Sequence, residues 1–308
     1  MMLRSVAAVG HGGEFDVPTR EPALERVEKS VRPAVLTAIS SIRDRYFEPI
    51  TLADLASEVF VSRFHFSRMF ADATGVTPGR FLTAVRLFEA KRLLLTTSLN
   101  VSDIVCSVGY SSVGTFTSRF SRAVGMTPTQ YREPQVAELL VAISPTLQQL
   151  PPLRVLRAAG RGCASLQSGT GSVSMRLDLP RGSSPANTVV GLFADAVPQC
   201  GPVAFSGMPN MTSGELVIQD VPAGRWTAIA VAQHQPGAGD LRYSIGYSDV
   251  QVSSYGRSTG RMALRPPAPT DAPIANCTLS RGALTVGPVA AVTPDGAAVI
   301  FLRLRSFA

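Results

Sequence analysis

Phe66-Ser67-Arg68-Met69-Phe70, followed by Gly75, Thr77-Pro78 and Phe81, returns fifty residues later as Phe116-Thr117-Ser118-Arg119-Phe120, Gly125, Thr127-Pro128 and Tyr131. Upstream, Leu52, Asp54, Leu55 and Ala56 are answered at an offset of 49 by Val101, Asp103, Ile104 and Val105. A repeat of this length is one supersecondary unit copied in tandem. In each copy the apolar residues recur at helical spacing. Thr51 and Asn100 stand where the first helix of each pair needs an N-cap, Ser62 and Ser112 where the second does, and Gly75 and Gly125 end that second helix. A short helix pair whose second member carries arginine is a form that enters the DNA major groove, and two copies let one chain meet two sites.

Between the copies, Thr77-Pro78 supplies an N-cap and a first-turn proline. The helix it starts should run to about residue 95, burying Phe81, Leu82, Val85, Phe88, Ala90, Leu93 and Leu94 and showing Arg80, Arg86, Lys91 and Arg92 elsewhere. Eighteen to twenty residues span about 27–30 Å, close to the roughly 34 Å of one DNA turn. Before the repeat, Val35, Leu36, Ile39, Ile42 and Phe47 predict a helix with Pro33 in its first turn. Residues 1–30 contain Gly10, Gly12, Gly13, Pro18 and Pro22 and are expected as a flexible arm, leaving 31–133 as the helical domain.

After residue 133 the composition changes. Residues 134–153 read as a linker closing at Pro151-Pro152. Residues 154–308 read as a β-sandwich domain with its core at 172–265. Strands are expected over 173–179, 188–194, 202–205, 215–221, 225–233, 243–252 and 261–264, separated by turn signals such as Pro222-Ala223-Gly224. Past the proline-rich 266–273, further strands are expected within 283–292 and 297–304, though no role for 266–308 follows from the sequence. The fold class is thus two domains: all-α paired helix-turn-helix units joined by a long helix, then an all-β sandwich.

The 308 residues carry a formal charge of +7, which permits a nucleic-acid partner. That charge is not concentrated: residues 31–133 hold 12 basic and 8 acidic side chains, and 134–308 hold 13 and 9. The DNA argument therefore rests on the repeat. Cys106, Cys163, Cys200 and Cys277 lack metal or redox spacing, and His11, His65 and His234 are scattered, so no metal site and no cofactor is expected. His65 reads as a half-buried packing residue and the lone Trp226 as core. No apolar run is long enough for a transmembrane helix and no signal peptide is evident; a cytoplasmic protein with no membrane partner is expected.

Phe66-Ser-Arg-Met-Phe70, Gly75-Val-Thr-Pro78, Ala90-Lys-Arg-Leu-Leu94, Gly109-Tyr110, Gly125-Met-Thr-Pro128 and Tyr131-Arg132 together resemble the AraC/XylS family of bacterial transcription regulators over residues 35–132. The resemblance implies promoter binding to double-stranded DNA by homeodomain-like helix pairs. It assigns outward, DNA-facing positions to Arg63, Phe64, Ser67 and Arg68 in the first unit and to Val113, Gly114, Thr117 and Ser118 in the second. Arginine is frequent in the family where this chain has Ser118, and here it stands one place later, at Arg119. One residue turns a helix by about 100°, so Arg119 is expected to face phosphate, and the first unit to carry most of the specificity. Val189-Val-Gly-Leu-Phe193 with Asp220-Val-Pro-Ala-Gly-Arg225 and Trp226 loosely resembles transthyretin-like or carboxypeptidase-regulatory sandwiches, which implies binding or assembly and no particular ligand.

The leading function is a DNA-binding transcription regulator whose C-terminal domain binds a small-molecule effector, a partner or a second copy. Two alternatives stay open. One is an enzyme fused to the DNA module, since some members of this family transfer alkyl groups to a reactive thiol; no cysteine here has such a context, and no enzyme is expected. The other is a β binding module with a helical appendage that does not bind DNA.

Overall fold

The computed structural model describes residues 21–162, 169–236, 242–277, 289–292 and 298–301, with side chains over 33–158, 169–236 and 242–277. Its first part is helical: α1 (Glu21–Arg45), α2 (Leu52–Glu58), α3 (Arg63–Thr74), α4 (Pro78–Thr96), α5 (Val101–Ser107), α6 (Val113–Val124), α7 (Pro128–Tyr131) and α8 (Pro134–Glu138). There follow β1 (Leu140–Ile143), β2 (Gln148–Gln149), α9 (Leu153–Gly162), β3 (Gly171–Asp178), β4 (Ala186–Phe193), β5 (Ala204–Met211), β6 (Ser213–Val221), β7 (Gly224–His234), β8 (Tyr243–Val252), β9 (Arg257–Ala263), β10 (Ile274–Cys277), β11 (Val289–Val292) and β12 (Ala298–Phe301).

Caps set the helix boundaries. Thr51 and Asp54 form a reciprocal capping box at the head of α2, and Thr127 and Gln130 form one at α7. Asn100 accepts the Asp103 N–H at 2.8 Å to start α5. The first unit closes over Val35, Ile39 and Ile42 of α1 with Leu55, Phe66, Phe70 and Phe81. Two details depart from expectation here. The helix α1 begins at Glu21 and continues through Pro33, so residues 21–30 are helical and not an arm; residues 1–20 lie outside the described residues. Leu36, Leu52 and Phe47, expected inside, are 39%, 39% and 49% exposed, because α1 and α2 each bury only a narrow face.

Strands β3 to β9 form two sheets. One has the order β6-β3-β9, with β3 and β9 parallel, and the other has the order β5-β4-β7-β8. Alternate residues of β3, namely Val173, Met175 and Leu177, face a core shared with Leu216 and Ile218 of β6 and with Val190, Leu192, Ala228, Ala230 and Ala232 of the other sheet. The four-stranded sheet buries its second face too. Val189, Phe193, Ile229, Val231 and Ile245 join a different cluster, which explains why β4 is an unbroken apolar run and not an alternating one.

That second cluster removes the linker. Residues 134–153 hold α8, β1 and β2, and β1 pairs antiparallel with β10 from Leu140↔Cys277 to Ile143↔Ile274. Val136, Leu139, Leu140 and Ile143 are buried together with Phe116, Phe120 and Tyr131 of the second helical unit and with the outer face of the four-stranded sheet. The second unit and the sheets therefore share one core. Nor is the region after 153 all-β. Leu153 and Leu156, one helical turn apart, are buried in α9, and Arg157 donates to the Gly207 carbonyl at 2.8 Å.

Lys91 joins the two halves. It is 1% exposed, and its Nζ donates to the carbonyl oxygens of Gln199 at 2.7 Å and Ala275 at 2.8 Å, and to Gln199 Oε1 at 3.3 Å. Its place on the outer face of α4 is thus corrected: that face is covered. Burial lowers the Lys91 ammonium to about 7, against a small opposing influence of the neighbouring Cys200 and Cys277. Between that value and 10.5 the unfolded chain holds a proton that the folded chain has shed. Stability is therefore expected to rise with pH through this window, by up to a few kcal/mol. Urea unfolding at stepped pH checks this, and Lys91→Met should flatten the slope; an equal slope in the variant places its origin elsewhere.

Candidate nucleic-acid interface

Helices α3 and α6 are built alike. Ser62 and Ser112 accept the backbone N–H groups of His65 and Thr115, both at 3.3 Å. Gly75 and Gly125 end them with φ of 75° and 85°. Phe66, Met69 and Phe70 hold one inner face, and Phe116, Phe120 and Val124 hold the other. The outer face follows from this anchoring. Arg63, Phe64 and Arg68 are exposed with Ser67 half-buried beside them; Val113, Gly114 and Ser118 are exposed with Thr117 half-buried. Phe64 is 75% and Val113 41% exposed, so the sheets leave both helix heads open. The connecting α4 has 19 residues, about 28 Å of rise.

The two outer faces differ in chemistry. The Arg68 guanidinium lies 5.6 Å from the centre of the Phe64 ring, an exposed cation–π stack that steadies its planar donor fork. In the second unit the corresponding positions are uncharged. Arg119 is exposed and lies near Tyr110, where its charge acts on the phenol. Burial holds the Tyr110 phenol above its ordinary value, opposed by the charges of Arg86 and Arg119.

Most of the basic residues of α4 are engaged inside the molecule. Arg80 pairs with Asp195, Arg92 with Glu89, and Arg86 donates to the Tyr46 and Glu48 carbonyls at 2.6 and 2.7 Å, closing the carboxyl end of α1. His65, expected as half-buried packing, is exposed, and so is Cys106. Trp226 is half-buried against the two-sheet core, its Nε1 donating to the Pro222 carbonyl at 2.8 Å. Among the described residues no group of His, Cys, Asp and Glu is arranged to hold a metal, and no helix is long and apolar enough to cross a membrane.

A family model described as a helix-turn-helix domain matches residues 55–134. The lactose operon transcription activator of Staphylococcus xylosus is 33% identical over 95 residues, 31% of this chain and 34% of that protein. The helix-turn-helix pair belongs to the AraC/XylS family. The RCS-specific HTH-type transcriptional activator RclR of Escherichia coli is 41% identical to this AraC-type domain over 83 residues, 27% of this chain and 29% of that protein. Among solved structures, the C-terminal domain of AraT, a response regulator from Geobacillus stearothermophilus, is 34% identical, covering 32% of this chain and 84% of that one with a TM-score of 0.32. The chain spans about a third of the length of the curated relatives it matches. AraC-type domains bind DNA. These matches do not reach the transthyretin-like resemblance of the sheets.

One feature of the AraC-type domain escaped the sequence pattern. Phe60 occupies the turn before α3 with φ 56° and is 95% exposed, whereas the same place in the second unit is Gly109, φ 79°. A Cβ at Gly109 would lie 2.8 Å from the Phe47 carbonyl oxygen. The left-handed conformation costs a side chain about 1–2 kcal/mol, partly offset by the greater freedom a glycine loses. Phe60→Gly should therefore stabilise by about 0.5–1 kcal/mol, while Gly109→Ala should destabilise by more than about 1 kcal/mol. Urea midpoints of the two variants check the opposite signs.

Proposed function

We propose that this protein is a sequence-specific transcription regulator that lays α3 and α6 in successive major grooves of duplex DNA, and that its two-sheet domain receives an effector, a partner or a second copy. The observation that carries this reading is the pair of identically capped helices whose outer faces stand open at the two ends of α4. In the first unit, Arg63 and Arg68 present forks suited to guanine O6/N7 or to phosphate, and Phe64 an apolar face suited to a thymine methyl. Ser67 supplies a hydroxyl beside them. In the second unit, Val113 and Gly114 offer no hydrogen-bonding side chain, and Thr117 and Ser118 offer hydroxyls only. Arg119, near Tyr110, suits a phosphate. Sequence preference is therefore concentrated in the first unit.

The curated relatives are regulators of transcription by their names, which supports the same role here and favours it over an enzyme fused to the DNA module. A sheet domain fused to the second unit, and not tethered beside it, supports a sensing role, since anything that reorders the sheets acts directly on that unit.

Two measurements test the reading, both on the full chain. Duplexes selected from a random pool should bind with an affinity that falls by roughly 10³-fold or more between about 50 and 200 mM monovalent salt if six phosphates are met. A folded protein with no salt slope overturns DNA binding. On the selected site, Arg68→Ala should cost about 1–3 kcal/mol and relax the preference at one base, and Ser118→Ala clearly less. Losses in the opposite order overturn the dominance of the first unit.

A further inference from the structure

A cleft of about 420 Å³ separates the first helical unit from the four-stranded sheet. One wall is the carboxyl end of α3, at Ala73 and Thr74, and the facing wall is Thr227 of β7 with Tyr247 and Asp249 of β8. The third side is the segment from Arg265 to Ala272, which is tied to α1 through Arg43, whose guanidinium donates to the Pro269 carbonyl at 2.9 Å. We propose that this cleft is the effector site and that it takes a small organic cation, a protonated amine or a quaternary ammonium. The word effector rests on the regulator reading above; the binding site does not.

Size and charge carry the proposal. The volume falls in the range of pockets that enclose small molecules. Arg265, the cation on its rim, is already matched bidentately by Asp271 at 2.8 and 2.5 Å. Asp249 has no such match, since its carboxylate accepts from the Thr227 hydroxyl at 3.1 Å and its residue is exposed. The last carbonyls of α3 add the negative end of a helix to the opposite wall. Tyr247 brings an aromatic ring, a group that attracts cations, to the lining, and burial together with the Asp271 carboxylate holds its phenol protonated far above neutral pH. The lining is thus net negative, with an aromatic ring and hydroxyl groups.

The cleft also sits where binding has leverage. Among the described residues, Val197 and Ala272 are the sheet-side residues packed on the core of the first unit, whereas the second unit shares a core with the sheets. A molecule bridging Thr74 and Asp249 therefore fixes the less attached unit relative to the sheets. Its wall is the very helix that carries Arg63 and Arg68.

The test is the melting of the full chain, without DNA, in choline chloride or putrescine dihydrochloride, against glucose and against sodium chloride of equal ionic strength. The cations should raise the melting temperature by about 2–4 °C near saturation, and glucose and sodium chloride should not. Calorimetric titration of Asp249→Asn, a substitution at an exposed residue whose folding is checked by circular dichroism, should show affinity weaker by about tenfold or more; Tyr247→Leu should weaken it independently. Silence of both cations, a response to glucose alone, or an unchanged response in both variants overturns the proposal. Loss of DNA binding in the salt titration would overturn the regulator reading and leave a cation shift intact, so the two failures are distinguishable. A cation that binds yet leaves DNA affinity unchanged overturns the link to α3.

Discussion

The ammonium of Lys91 reaches no water. It is held by the Ala275 and Gln199 carbonyl oxygens and lies 5.9 Å from the centre of the Tyr131 ring. Burying a cation in this way is unfavourable unless the surroundings hold it firmly. Here they come from three distant parts of the chain, namely the connecting helix, the turn after β4 and the strand β10. The contact exists only when the second helical unit, β1 and β10 are in register around it. That one position ties α4 to the turn after β4 and to β10.

From this follows the asymmetry of the two helical units. The second is closed by Val136, Leu140 and Ile143, so its inner wall is made by strand residues. The first is closed by α1 and meets the sheet side through Val197 and Ala272 and through polar ties, Arg80 to Asp195 and Arg43 to the Pro269 carbonyl. The unit that carries Arg63 and Arg68 has the fewer apolar contacts with the sheet side. The unit that carries Thr117 and Ser118 shares its core with the sheets.

Much of this was legible in the amino-acid sequence because it is local. N-caps, left-handed glycine ends and helical spacing act within a few residues, and they marked α2 to α7 nearly to the residue. Strands β3, β4, β6, β7 and β8 announced themselves by apolar pattern and by turns, whereas the strands expected at 202–205 and 261–264 caught only one end of β5 and of β9. The remainder depends on contacts across long stretches of chain. Leu139 to Ile143 is a short apolar run that reads equally as a helix end or a linker, and only β10 makes it a strand. Lys91 looks like any basic residue on a helix surface until Ala275 and Gln199 cover it. The outer faces of α3 and α6 were visible from their spacing, but the nearness of Arg119 to Tyr110 was not, since it depends on where a side chain outside the helix stands.

The pairing of β1 with β10 has a consequence for how the molecule comes into being. Leu140 to Ile143 leaves the ribosome long before Ile274 to Cys277. Until the later strand arrives, the earlier one has an unpaired edge and an uncovered apolar face. Contacts so far apart in the chain form slowly. The first helical unit has α1 to close its core early and gains Val197 and Ala272 later, whereas the second must wait for β10. A nascent or truncated chain therefore presents one helix pair closed over its core and one whose covering strand has yet to dock.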